Sequence, residues 1–356
     1  MPNNCHMSIK QRGTKTKATD KDVNAGIVRI GPIIEVPSLL REYGCNPEPV
    51  LKSAGLPLDI WEQPETEIPF VAASRVLEAS VTATGCDYFG LQLGIRLQLS
   101  FLGVSGLMLR YAPDARAAIQ VLIHHLNLHD TGGLVTFEIT DQTARLGYLV
   151  RQPGTRGIEQ IYDLSIVVAC KIMRALCGAH WSPTKVVLSR NRPQDEKPYT
   201  HYFQAPIAFN DKTNYLEFPL SWLNYPNPNA DPHLFSYLSE RATEQQASQD
   251  TSLISNLHRM MLNAIFQRHC SAGHIAGQLG MHERTLNRKL AKLDTSFRKE
   301  LEKLRYELSR QMLGNKEISI NDIAAFLDYS DQAAFSRAFK KWAGVSPSEY
   351  RSTIHK

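Results

Sequence analysis

The sequence predicts an α+β N-terminal domain followed by an all-α C-terminal domain of two helix-turn-helix units joined by a long helix. The chain has 356 residues, which is enough for two domains of ordinary size. Helical apolar spacing alternates with short β-branched and aromatic runs up to about residue 235. Beyond the polar stretch ERATEQQASQDTS, every apolar pattern is helical and the main one occurs twice.

The N-terminal part contains both helices and strands. Apolar residues at helical spacing, each run followed at once or nearly so by a glycine, predict helices over 36–43, 50–54, 70–84 and 159–176. The runs LVTFEIT and ARLGYLV flank a short polar segment and predict a β-hairpin. Residues 185–188 and 215–218 predict two further strands.

Composition excludes several classes of protein. No run of about 18 apolar residues is present, and the N-terminus has no apolar segment of the secretory kind, so a cytoplasmic protein is expected. The six cysteines are scattered without C-x-x-C spacing, which argues against a disulfide framework or a zinc site. Cys170 and Cys177 are best interpreted as buried small apolar side chains, with a redox role as the alternative.

Positive charge is concentrated in the C-terminal part. From Ser255 onward there are 17 Lys and Arg against 10 Asp and Glu, whereas the preceding residues have 23 against 25. A basic module beside a near-neutral one indicates a polyanionic partner.

We expect a disordered basic tail over residues 1–26, a domain over 27–235, a linker over 236–254 and the helical domain over 255–356.

The helical domain contains a repeat. HIAGQLG, which starts at His274, matches DIAAFLD, which starts at Asp322, at an offset of 48. The apolar positions of the following helix then recur at an offset of 49, which implies one extra residue in the second turn. These positions are Leu286, Leu290 and Leu293 in the first unit and Phe335, Phe339 and Trp342 in the second. Two helix-turn-helix units are the simplest interpretation.

A long amphipathic helix is predicted between the two units. Its apolar stripe is Phe297, Leu301, Leu304, Leu308 and Met312, and Gly314 ends it. Such a helix would hold the two units at a fixed separation.

The polar faces opposite the apolar positions suit the major groove. Arg284, Asn287, Arg288 and Ala291 share one face in the first unit, and Ala333, Ser336, Arg337 and Lys340 share the corresponding face in the second. Arg can bond guanine, and Asn can bond adenine, through two hydrogen bonds each. The alternative is a solvated face of no specific role. Two such helices on a fixed spacer favour DNA, because successive major-groove segments lie about 34 Å apart.

The motifs also carry a family resemblance. The second unit and its flank contain Ile323-Ala324, Asp331-Gln332, the run FSRAFKKW from Phe335, Gly344, Ser346-Pro347 and Tyr350-Arg351. The first unit and joining helix contain Ile275-Ala276, Leu279-Gly280, Thr285-Leu286, Arg288, Phe297 and Arg305. Over about residues 255–353 the chain resembles the AraC/XylS family of bacterial transcription regulators. Two departures are His282, where a better helix cap is usual, and Asp328, where Gly is usual.

The N-terminal part resembles one branch of that family. The resemblance rests on Gly85, Asp87, Phe89-Gly90-Leu91, Phe203, Pro206, Phe209 and Ala230-Asp231-Pro232. It implies an effector domain of the arabinose-binding type that senses a small molecule, mediates self-association, or does both. The name of that type does not imply that this protein binds a sugar.

The resemblance implies specific DNA contacts. Base contacts are expected from Arg284, Asn287 and Arg288 in the first unit and from Gln332, Ser336 and Arg337 in the second. Lys340 and Lys341 are placed for phosphates, which supply affinity with little sequence information. The implied partners are double-stranded promoter DNA, an unidentified effector, RNA polymerase if the protein is an activator, and a possible second copy in a homodimer. No cofactor is implied, and no membrane.

Three histidines are candidates for a site in the N-terminal domain. His125 and His129 stand at i, i+4 spacing, which can chelate zinc, but a full ligand set is missing. We therefore predict no metal, and give His124, His125 and His129 as speculative effector contacts. Catalytic motifs such as a phosphate loop, G-x-S-x-G or H-E-x-x-H are missing, so an enzyme is not expected. The alternative that stays open is a catalytic or metal-binding N-terminal domain tethered to a DNA-binding module.

Overall fold

The computed structural model describes residues 26–62, 66–151, 155–248, 253–266, 270–314 and 318–354. The predicted tail, apart from Gly26, lies outside these ranges. The helices up to residue 203 are α1 Val36–Glu42, α2 Pro47–Ser53, α3 Phe70–Thr84, α4 Phe89–Arg96, α5 Val104–Tyr111, α6 Ala115–His125, α7 Ile158–Cys177 and α8 Lys197–Phe203. The later helices are α9 Pro232–Ser248, α10 Leu253–Phe266, α11 Ala272–Gln278, α12 Glu283–Ala291, α13 Phe297–Leu313, α14 Ile320–Phe326, α15 Gln332–Ala343 and α16 Pro347–Ile354.

The strands form two sheets. They are β1 Ile27–Arg29, β2 Glu67–Pro69, β3 Gly133–Ile139, β4 Thr143–Val150, β5 Lys185–Val187, β6 Ile207–Ala208 and β7 Tyr215–Pro219. β1 pairs antiparallel with β2, and the larger sheet has the order β3-β4-β7-β5-β6, with only the β5–β6 pair parallel. The α+β prediction for the N-terminal domain is therefore confirmed, including the hairpin, in which Phe137 faces Leu146.

Helix ends follow the glycine signals. α3 ends at Thr84, and Gly85 then takes a left-handed conformation with φ of 69°. Gly44 and Gly55, which follow α1 and α2, also have positive φ, as expected where a side chain would be strained.

Two cores fill the N-terminal domain. One lies under β1, β2 and the first four helices, and the other lies between the five-stranded sheet and α6 and α7. Cys170 and Cys177 are buried in the second core, and burial raises the pKa of both thiols, to about 12 and about 11. Such thiols stay protonated and serve as apolar packing, as predicted.

The predicted linker, 236–254, begins inside α9. Leu238 and Ala242 of this helix are buried in the second N-terminal core. The helix α10 that follows packs against β3, and Leu134 of β3 belongs to the core of the C-terminal helices. The two parts of the chain are therefore in direct contact through the hairpin.

The C-terminal helices form the two predicted helix-turn-helix units. α11 and α12 make the first, α14 and α15 make the second, and α13 joins them. Leu286, Leu290, Phe335 and Phe339 are fully buried, and Leu304 and Leu308 of α13 pack in the same core.

Two details of the first unit differ from the expectation. α12 ends at Ala291, so Leu293 leaves the helical face and is 48% exposed instead of packed. His282 does cap α12, because its Nδ1 accepts the Arg284 N–H at 3.3 Å. The same position of the second unit is Asp331, which accepts the Ala334 N–H at 2.6 Å.

Asp328 has the backbone conformation that its alignment with Gly280 requires. Its φ is 60°, against 64° for Gly280. The Asp328 carbonyl accepts a hydrogen bond from Arg305 Nη2 at 3.3 Å, which a glycine would keep, and the carboxylate lies 3.9 Å from the same guanidinium. That distant, partly exposed pair contributes little to stability.

We expect Asp328→Gly to raise the free energy of unfolding by about 1 kcal/mol, because glycine adopts the left-handed region without strain. The reverse change, Gly280→Asp, should lower it by about the same amount, since open space surrounds that position. Thermal unfolding of both variants measures this, and DNA sequence preference should stay unchanged. A lower melting temperature for Asp328→Gly would contradict the assignment.

A buried ion pair fixes α7 to the segment that follows β5. Arg190 Nη1 bonds Asp163 Oδ2, and both side chains are almost completely inaccessible. Tyr199 donates its hydroxyl to the same oxygen at 2.6 Å, and Arg190 Nη2 donates to the Asp87 carbonyl at 3.0 Å.

None of the described helices is long and apolar enough to cross a membrane.

Candidate DNA-binding surface and N-terminal cavity

The polar face of α12 is open to solvent. Arg284, Asn287 and Arg288 are all exposed, on the side opposite the buried Leu286 and Leu290. Their side chains make no hydrogen bond or ion pair with any other described residue. The donors of two guanidinium groups and one amide are thus presented together, which is the chemistry that reads base edges.

The corresponding face of α15 includes shorter side chains. Gln332 and Arg337 are exposed, whereas Ser336 is half-buried. The Ala334 N–H, with a smaller contribution from Arg337, holds the pKa of Asp331 below its usual range. Arg337 is therefore already close to an acidic group at the start of its own helix.

The two lysines of α15 differ in their surroundings. Lys340 is exposed, and Lys341 lies 3.7 Å from Glu302 of α13 while keeping most of its side chain in water. An ion pair this exposed is weak and does not prevent a lysine from reaching a phosphate.

The joining helix sets the separation of the two units. α13 has 17 residues and therefore spans about 25 Å. Tyr306 of this helix packs against Phe339 and Trp342 of α15, with ring centroids 5.7 Å and 5.9 Å apart. Aromatic packing at the second unit keeps α15 in a fixed orientation on α13.

A cavity of about 100 Å³ lies inside the N-terminal domain, and we call it the N-terminal cavity. Its wall comes from the inner face of the β3–β4 hairpin, from α7, from the end of α6 and from the segment around β1. The apolar side chains of this wall include Phe70, Phe101, Leu122, Val135, Leu146, Ile161, Leu164, Val168 and Ile172. A site of this kind, apolar and nearly preformed, is typical of small-molecule binding.

The polar part of the wall includes Asp130 and Tyr148, which lie together beside β3. Asp130 Oδ1 accepts the backbone N–H groups of Gly132 and Gly133 at 2.7 Å and 3.1 Å, and Oδ2 accepts the Tyr148 hydroxyl. A side chain at Gly133 would overlap that hydroxyl, so the glycine makes room for the tyrosine. Burial raises the pKa of Asp130 to about 6, although these hydrogen bonds oppose the rise.

His129 stands next to this group and is 5% exposed. Its ring packs against Phe101 at 5.3 Å, and neither ring nitrogen has a hydrogen-bond partner among the described residues. Burial, together with the nearby Arg29, lowers the pKa of His129 to about 3. The imidazole is therefore neutral, with one nitrogen able to donate and the other to accept.

The three predicted histidines do not form one site. His129 lines the N-terminal cavity, whereas His124 and His125 are absent from its wall, and His124 Nδ1 lies 2.7 Å from the Gln120 carbonyl on its own helix. Within the described ranges no three His, Cys, Asp or Glu side chains converge as a metal site would require.

Two cavity residues were not predicted from the sequence. Tyr148 was missed, although it continues the inward-facing alternation of Ala144 and Leu146. Asp130 follows the end of a helix, and no apolar periodicity in the sequence marks its position as part of a wall.

Polar contacts join the two parts of the chain beside the hairpin. Arg151, which follows β4, lies 3.1 Å from His258 Nδ1 of α10, and His258 Nε2 lies 2.7 Å from Glu300 of α13. Burial, and then the charge of Arg151, lower the pKa of His258, so Nδ1 accepts from Arg151 and Nε2–H donates to Glu300. Lys212 also pairs with Asp322 of α14.

Comparisons with known proteins agree with this arrangement. Residues 44–227 match the family described as the arabinose-binding domain of AraC transcription regulators, N-terminal, and residues 275–353 match a helix-turn-helix domain family. The HTH-type transcriptional regulator VirS of Mycobacterium tuberculosis is 27% identical over 318 residues, which cover 88% of this chain and 93% of that protein. The ornithine utilization regulator of Pseudomonas aeruginosa is 24% identical over 319 residues, with the same coverage of 88% and 93%.

Among solved structures, the transcriptional regulator CdpR from Pseudomonas aeruginosa aligns over 86% of this chain and 97% of its own. The identity is 22% and the TM-score is 0.41.

Proposed function

The chain belongs to the AraC family of helix-turn-helix transcription regulators with an arabinose-binding-type N-terminal domain, and from this premise we propose how it binds DNA. The two units bind successive major-groove segments on one side of promoter DNA, held at that spacing by α13. Residues 255–356 bind DNA, and residues 27–235 receive the signal. The segment between them includes α9, which carries Leu238 and Ala242 into the N-terminal core.

The proposed base contacts come from α12 and α15. They are Arg284, Asn287, Arg288, Gln332, Ser336 and Arg337, with Lys340 and Lys341 on phosphates. The observation that supports this assignment is the exposed face of α12, where Arg284, Asn287 and Arg288 stand together without partners among the described residues. Unpaired guanidinium groups on a rigid helix lose little on binding, because no internal bond has to be broken first.

The proposed signal is a small molecule bound in the N-terminal domain, with His129 among its contacts. A ligand changes DNA affinity only if it binds one arrangement of the protein better than another. That difference arises at the contact between α10 and the hairpin, because the hairpin also forms part of the cavity wall. His124 and His125 lie at the C-terminal end of α6, outside the cavity wall, which supports only an indirect role for them.

We also propose that the protein acts in the cytoplasm, where promoter DNA is found, and that it contacts RNA polymerase if it activates transcription. A homodimer on a two-part operator is a further proposal. The support for these points is the regulator class of the relatives.

Two substitutions separate sequence reading from general affinity. We expect Arg288→Ala to weaken binding to the specific site by about 1–3 kcal/mol and to leave binding to a scrambled duplex nearly unchanged. Lys340→Ala should weaken binding to both duplexes by similar factors and reduce the slope of log K against log salt concentration by about 1. Fluorescence anisotropy on a duplex selected from a random-sequence pool, over a range of salt concentrations, measures both.

The matched control is Lys52→Ala, which removes one exposed positive charge from the N-terminal domain. It should change neither the affinity nor the salt slope. Equal losses on the specific and scrambled duplexes for Arg288→Ala would show that this arginine does not read bases.

A further inference from the structure

The N-terminal cavity contains few hydrogen-bonding groups. Its polar side chains are His129, Asp130, Tyr148 and Ser165. Asp130 and Tyr148 are bonded to each other, and the second oxygen of Asp130 already accepts two backbone N–H groups. Apart from the Ser165 hydroxyl, the group that remains is the His129 imidazole, which is almost fully buried and has no partner on either nitrogen among the described residues. Buried polar groups normally have a partner, so this ring indicates a missing one.

The chemistry of the wall limits what that partner can be. A sugar would bring several hydroxyl groups into a wall that offers the two nitrogens of His129 and one serine hydroxyl, and the unpaired ones would lose their hydration without compensation. A carboxylate would lie beside Asp130, and a free amino acid would bring two charges into an apolar space. A single hydroxyl group suits the neutral imidazole, because it can accept from the N–H on one side of the ring or donate to the bare nitrogen on the other, and it brings no charge.

The volume limits the size. An apolar cavity of about 150 Å³ in another protein binds benzene, so a space of about 100 Å³ accepts a single six-membered ring only if the wall moves outward. We propose that the N-terminal cavity binds an uncharged, mainly apolar molecule of about this size with one hydroxyl group, of which phenol is the simplest example, and that His129 hydrogen-bonds the hydroxyl. Only the step from this binding to transcription rests on the function proposed above.

The test compares two probes of nearly equal shape. Phenol and toluene have the same number of non-hydrogen atoms, and only phenol has a hydroxyl. We expect the full-length protein to bind phenol about tenfold more tightly than toluene, since one hydrogen bond is worth about a tenfold change in affinity. His129→Leu should remove this preference by weakening phenol and not toluene. Calorimetric titration measures the affinities, and the rise in melting temperature at saturating probe provides a second readout.

A cavity-filling variant locates the site. Ala169 lies on the cavity wall in α7, and Ala169→Leu should prevent both probes from binding. L-Arabinose should bind neither the wild type nor the variants. His201→Ala is the matched control, because His201 is exposed on α8, outside the wall, and its loss should leave both affinities unchanged.

Three outcomes would overturn the proposal. Equal binding of phenol and toluene to the wild type would show that His129 makes no bond to the ligand. Binding that survives Ala169→Leu would place the site elsewhere. No binding of either probe to folded protein would mean that ordered water is the partner of His129. The function proposed above is tested separately, because the DNA affinity of Arg288→Ala is measured without any probe.

Discussion

We expect Arg190→Ala to lower the free energy of unfolding by about 3–5 kcal/mol. Arg190 and Asp163 form an ion pair with only 4% and 0% of their side chains exposed. Removing the guanidinium leaves a buried carboxylate whose Oδ1 already lacks a partner and whose Oδ2 would keep only the Tyr199 hydroxyl. The lost compensation of a buried charge is larger than the loss of any exposed ion pair.

Chemical denaturation at neutral pH measures the effect. Arg192→Ala is the matched control, because Arg192 forms an exposed pair with Glu196 four residues away. It should change stability by less than about 1 kcal/mol. A loss for Arg190→Ala as small as that of the control would show that the pair contributes nothing beyond a surface contact.

The second large effect is expected in the pH dependence of stability, where His129 and Asp130 act in opposite directions. Burial lowers the pKa of His129 to about 3, so between pH 3 and 6.5 the unfolded chain binds a proton that the folded protein does not. This residue makes stability fall as the pH falls. Burial raises the pKa of Asp130 to about 6, so between pH 4 and 6 the folded protein holds a proton that the unfolded chain has lost. This residue makes stability fall as the pH rises.

In the wild type the two contributions cancel between pH 4 and 6. His129→Leu should make stability decrease more steeply with rising pH in that window, by about 1.4 kcal/mol per pH unit relative to the wild type. Asp130→Asn should change the slope by the same amount in the opposite direction. Over the whole window, either substitution changes the free energy of unfolding by about 3 kcal/mol relative to the wild type. Other titrating groups, including Asp163, are common to all three proteins and drop out of the difference. Parallel curves for the three proteins would show that neither residue titrates as its burial implies.

The C-terminal domain could be predicted in detail because its information is local. Apolar spacing, caps and the offset between the two units depend on residues close together in the sequence, and the positive φ of Asp328 followed from its alignment with Gly280. The exposure of Leu293 was missed because the helix ends before the apolar period does. Helix boundaries depend on the turn that follows, which the period does not contain.

The N-terminal elements could also be predicted, but the cavity could not. Its wall joins β1, α3, α6, β3, β4 and α7, which are brought together only by the tertiary fold. The i, i+4 spacing of His125 and His129 indicated a common site, yet a short 3₁₀ turn over Leu126–Leu128 separates the end of α6 from His129. Of the three histidines, only His129 therefore forms part of the cavity wall.

Consecutive residues of β3 face two different compartments of the protein. Val135 lines the N-terminal cavity, whereas Leu134 packs with the C-terminal helices on the opposite face of the strand. A single layer of backbone thus separates the two compartments, and side chains alternate between them. A substitution in this hairpin that moves its backbone would change both the cavity and the surface against which α10 packs. Under the proposed function, the hairpin therefore connects the wall that selects the molecule with the surface that holds the C-terminal helices.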